Sequence, residues 1–100
     1  MRLTNEQHQI ISSILRKYFG DHTLILLFGS RVDDSAKGGD IDLYIEPEIT
    51  DPDVIVLAKL KAMAEIHLAI GDQKIDLVIN RHKNDILPIY QVAKETGIPL

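Results

Sequence analysis

Phe28-Gly29-Ser30-Arg31, followed after a short loop by Gly38-Gly39-Asp40-Ile41-Asp42-Leu43, is the stretch on which the reading of this 100-residue chain turns. It reads as a strand, a glycine turn, a polar loop and a second strand. Nine residues, Arg31 to Gly39, separate Ser30 from Asp40. Side chains on a strand alternate between faces, so Asp40 and Asp42 point one way and Ile41 and Leu43 the other. Two carboxylates on one face of an apolar strand repel each other and lose hydration unless positive charge lies between them. A divalent cation answers that need.

Working outward, Thr4-Asn5-Glu6-Gln7 forms a capping box. Ile10, Ile11, Ile14, Leu15, Tyr18 and Phe19 then recur at helical spacing until Gly20 closes the helix. Leu24 to Phe28 is a continuous apolar run of strand length, as expected for a strand covered on both faces. Asp40 to Glu46 is the second strand, stopped by Pro47. Asp51 or Asp53 can cap a long helix carrying Val54, Leu57, Ala58, Ile66 and Ile70, with Gly71 at its end.

Lys74 to Ile79 is a third strand with Asp76 inside it, and Asn84 can cap a last helix over Asp85 to Thr96. The order α-β-β-α-β-α predicts an α/β fold, a small mixed sheet packed by helices, in a single domain over residues 1–100.

Aspartate is a poor strand former and costly to bury, yet Asp40, Asp42 and Asp76 all fall within strand patterns. One such residue usually caps an amide or faces water. Three of them, with Gly29-Ser30, form a constellation. If the third strand lies beside the second, about 4.8 Å away, Asp76 joins the other two on one face. Oxygen donors without His or Cys suit Mg²⁺, or Mn²⁺, which keeps positions open for water and phosphate oxygens. Two such ions, roughly 3.5–4 Å apart, stabilise the attacking and leaving oxygens of a phosphoryl displacement. Gly29 allows close backbone approach to a phosphate, Ser30 adds a hydroxyl, and Arg31 and Lys37 can neutralise a triphosphate. Tyr44 shares the face of Asp40 and Asp42 by alternation.

Composition narrows the field. Apolar residues make up 45% and charged residues 26%, as in an ordinary globular domain. The net charge of −4 argues against a broad grip on nucleic acid. There are no cysteines for a disulfide framework or thiolate metal site. No apolar run approaches the roughly 20 residues of a membrane span, and the N-terminus lacks signal-peptide character. A soluble, cytoplasmic protein is the expectation. The four histidines share no ligand spacing.

At Gly29-Ser30, Asp40-x-Asp42 and Asp76 the chain resembles the polymerase-beta-like nucleotidyltransferases. It is most similar to the minimal nucleotidyltransferases that serve as antitoxins in HEPN–MNT pairs, and the similarity extends to the ending Thr96-Gly97-Ile98-Pro99-Leu100. The resemblance implies the polymerase-beta-like fold and Mg²⁺-dependent transfer of AMP from ATP. The acceptor would be a tyrosine hydroxyl on a HEPN ribonuclease toxin, with which the chain could form a hetero-oligomer. By position, Asp40, Asp42 and Asp76 would bind two metal ions and do the catalysis. Gly29, Ser30, Arg31 and Lys37 would bind the nucleotide.

Two features depart from the family pattern. The spacing from Gly-Ser to the first aspartate is nine residues where ten is common, and Val32-Asp33-Asp34 stands where a basic Arg-Gly is frequent. The acidic loop motivates an alternative, an antitoxin that neutralises its toxin by binding alone. Transfer to a small molecule is a third reading, disfavoured because the chain is too short for a separate substrate domain.

Overall fold

The computed structural model of the chain describes residues 3–29, 41–71, 73–81 and 87–100. Their elements run α1 (Asn5–Phe19), β1 (Leu24–Phe28), β2 (Ile41–Glu46), α2 (Pro52–Ile70), β3 (Ile75–Ile79), α3 (Pro88–Thr96) and β4 (Ile98–Pro99). The predicted order of helices and strands is the observed one, with a short fourth strand added.

Each helix starts where its local chemistry permits. The Thr4 hydroxyl accepts from the Gln7 amide, and the Gln7 side chain accepts from the Thr4 amide, so the capping box is complete. For α2, Asp51 is the cap, accepting from the amides of Asp53 and Val54, and Pro52 opens the helix. Helix α3 differs from expectation. It begins at Pro88, with Leu87 at the cap and no side-chain bond there. Proline suits a first turn but clashes with a preceding turn of helix, so the residue before it is held extended. Asn84 and Asp85, the expected start, lie outside the described residues.

The sheet has the order β3-β2-β1-β4. β1 runs antiparallel to both β2 and β4, whereas β2 and β3 are parallel, so the sheet is mixed. The parallel pair is joined through α2, as a parallel connection requires.

Alternation divides the strands between two apolar layers. On one face Ile25, Leu27, Ile41, Leu43, Ile45 and Ile75 pack against α1 and α2, which contribute residues such as Leu15, Phe19, Ala62 and Ile66. On the other, Leu26, Phe28 and Tyr44 cluster with Ala93 of α3, flanked by Val78 and Tyr90. β1 is therefore covered on both sides, which explains its unbroken apolar run. α2 is apolar around much of its circumference, with Ile55, Ala58, Ala62 and Ile66 inward and Leu60 and Leu68 outward.

Arg16 closes the domain. Its guanidinium donates to the carbonyls of Asp21 (3.0 Å), Thr23 (2.7 Å) and Leu100 (2.9 Å), and its Nε donates to the Ser12 hydroxyl (3.1 Å). One side chain thus ties α1 to the entry of β1 and to the residue after β4.

Candidate active site

β2 and β3 are in register at Asp42 and Asp76, which face each other across the parallel pair. Neighbouring strands are about 4.8 Å apart and partnered residues share a face, so the two carboxylates stand side by side. The third member of that rung is Phe28, partner of Asp42 on the antiparallel side. All three belong to the face opposite α1 and α2. Asp42 is half-buried and Asp76 is exposed, so the pair is open to a ligand. This register sets Asp76 beside Asp42; Asp40, the other member of the expected group, lies outside the described residues.

Gly29 follows Phe28 directly and has φ +76°, a left-handed conformation that favours glycine. A Cβ placed there would collide with Oδ2 of Asp42. The missing side chain therefore makes room for the carboxylate, a role beyond the expected approach to phosphate.

Asp40, Ser30, Arg31 and Lys37 lie outside the described residues. Among the described residues no group of three His, Cys, Asp or Glu side chains forms a metal cage. What they do provide is a pair of adjacent oxygen donors, one of them seated in the space that Gly29 leaves. That donor set fits a hard cation that completes its shell with water and phosphate.

Further along the same face lies a group that sequence reading left without a role. Tyr44 is fully buried. Its hydroxyl donates to Oε2 of Glu46 (2.6 Å) and accepts from Nδ2 of Asn80 (3.0 Å). Lys94 of α3 reaches the same Glu46 oxygen at 2.8 Å. The Tyr44 and Tyr90 rings meet at 5.6 Å with an interplanar angle of 54°. Burial first, and then the bond to Glu46, hold the Tyr44 phenol above its ordinary pKa, so it stays a proton donor. Glu46 likewise raises the Lys94 ammonium. The period-two pattern Asp76, Val78, Asn80 was the sequence signal for Asn80, since it places that residue on the aspartate face.

Neither the family models nor the curated proteins contain a match to the chain. Solved structures do. The chain matches one from the crystal structure of a mutant form of the toxin–antitoxin complex MntA–HpeT, with TM-score 0.64 and 25% identity, covering 97% of this chain and 71% of that one. No helix among the described residues is long and apolar enough to cross a membrane. By that structural match the chain shares the nucleotidyltransferase-like fold of MntA, a likeness that fits a minimal-nucleotidyltransferase antitoxin.

Proposed function

We propose that the chain is an Mg²⁺-dependent adenylyltransferase that silences a cognate HEPN ribonuclease toxin by moving AMP from ATP onto a tyrosine hydroxyl of that toxin. The observation that carries this reading is the Asp42–Asp76 rung, two carboxylates side by side at an open position on the sheet. Asp42 and Asp76, with Asp40 two residues before Asp42 on the strand pattern, would hold the metal. The ion supplies charge neutralisation for phosphoryl transfer. Gly29, Ser30, Arg31 and Lys37 are assigned to the triphosphate. In the transfer, the acceptor oxygen bonds to the α-phosphorus, the bond from that phosphorus to the bridging oxygen breaks, and pyrophosphate leaves. The hydroxyl proton would pass to a carboxylate of the rung, and the exposure of Asp76 supports assigning it that role. Use of ATP to modify a ribonuclease toxin suits a cytoplasmic protein.

The test is incubation of the purified pair with Mg²⁺ and ATP, followed by intact mass spectrometry of the toxin. A gain of one or more AMP units, lost in Asp42→Ala and Asp76→Ala, is expected. An unmodified but still neutralised toxin would replace this reading with the binding-only antitoxin that the acidic Asp33-Asp34 loop suggests.

A further inference from the structure

β3 carries Asp76 but is the edge strand on one side of the sheet, paired through β2. Its packing is thin. Ile75 is buried, while Leu77, Val78 and Ile79 are only half-buried, whereas Ile41, Leu43 and Ile45 of β2 are all fully buried. Hydrophobic packing therefore locates Asp42 more firmly than Asp76.

The residue after β3 supplies what packing does not. Asn80 is 1% exposed, more deeply buried than any residue of β3. It is fastened to β2 twice: its backbone amide donates to the Ile45 carbonyl (3.0 Å), and its Nδ2 donates to the Tyr44 hydroxyl (3.0 Å). Tyr44 donates onward to Glu46, whose carboxylate also takes Lys94 from α3. The hydrogen bonds all run in one direction and end on a charge, the arrangement in which each bond strengthens the next. Asn80 Oδ1 has no partner, so this residue is held in place at the cost of one unsatisfied buried acceptor.

We infer that Asn80 and Tyr44 are positioning residues: they clamp edge strand β3 to β2 and so hold Asp76 beside Asp42 at the spacing a shared cation requires. The inference rests on the metal-dependent reading above. Groups that orient metal ligands without touching the metal typically change affinity by about 10–100-fold when removed.

The test uses the intact chain and Mn²⁺ binding followed by electron paramagnetic resonance, at a temperature where circular dichroism shows every variant folded. Asn80→Leu and Tyr44→Phe are expected to bind Mn²⁺ at least about tenfold more weakly than wild type. The double variant Tyr44→Phe/Asn80→Leu leaves fewer polar groups orphaned than Tyr44→Phe, which strands the Asn80 amide; relative to that variant it should regain thermal stability but not Mn²⁺ affinity. A merely structural role would move stability alone, so single variants that bind as wild type does overturn the inference. Recovery of affinity in the double variant overturns it too. If the wild type binds no Mn²⁺, or Asp42→Asn binds as well as wild type, the metal-site reading itself fails and the positioning role falls with it.

Discussion

The carboxylate of Asp42 occupies the space that a side chain at position 29 would need. Gly29 is separated from it by thirteen positions in the chain, yet the antiparallel pairing of Phe28 with Asp42 brings the two together. Gly29→Ala thus combines a left-handed backbone with a steric collision. A stability loss of about 1–3 kcal/mol is expected from the backbone conformation, with displacement of the carboxylate in addition. Urea denaturation measures the first, and the rate of toxin modification should fall with it by more than the folded fraction explains.

Mg²⁺ should stabilise the protein through the Asp42–Asp76 rung. At ten times its dissociation constant, a ligand specific for the folded state adds about 1.4 kcal/mol. For a domain of this size that is a rise of roughly 6–11 °C in melting temperature. Asp76→Asn should abolish the rise while leaving metal-free stability within about 0.5 kcal/mol, because Asp76 is exposed. Thermal melts with and without Mg²⁺ decide this, and an equal rise in the variant would place the ion elsewhere.

Alkaline pH should loosen the packing of α3. Tyr44 and Lys94 both have pKa values raised above the ordinary 10.0 and 10.5, the first by burial and then by its bond to Glu46, the second by its bond to Glu46. Upward shifts mean that the protonated forms are favoured by folding. Their contribution is complete below the unfolded values and is lost as pH rises through the higher folded ones. Urea midpoints taken from about pH 8 to about pH 11 should stay level and then fall beyond about pH 10. Tyr44→Phe should be less stable at neutral pH and show a shallower alkaline decline.

Arg16 should prove a stability residue with no part in the chemistry. Arg16→Ala removes four hydrogen bonds, three of them to backbone carbonyls. A loss of about 2 kcal/mol is expected, since each orphaned carbonyl near the surface can partly recover water. That corresponds to roughly 10 °C in melting temperature. At a temperature where the variant is fully folded, its Mn²⁺ affinity should match that of wild type.

Local chemistry made much of this molecule legible from its residues. Thr4 and Gln7 announce α1, Asp51 and Pro52 open α2, and the unbroken run Leu24 to Phe28 announces a strand covered on both faces. These features depend on residues a few positions apart, and so are readable in the chain itself. The same holds for the alternation that sets Asp42 opposite Ile41 and Leu43 on β2. Asp40, Ser30, Arg31 and Lys37 belong to this sequence-level reading alone.

Tertiary structure decided everything that needs two distant segments to meet. That Ile98–Pro99 is a strand follows only from its pairing with β1, since two residues carry no period of their own. Burial of Tyr44 follows from the arrival of Tyr90 and Ala93 on α3, and Asn80 acquires a role only because it ends beside that phenol. Above all, the opening aspartates did not need to meet Asp76. Alternation puts each carboxylate on a face, but the parallel register of β2 with β3 sets Asp42 and Asp76 on one rung, and with it the possibility of a shared cation. Periodicity is a property of one segment, whereas register is set by packing and hydrogen bonds between two.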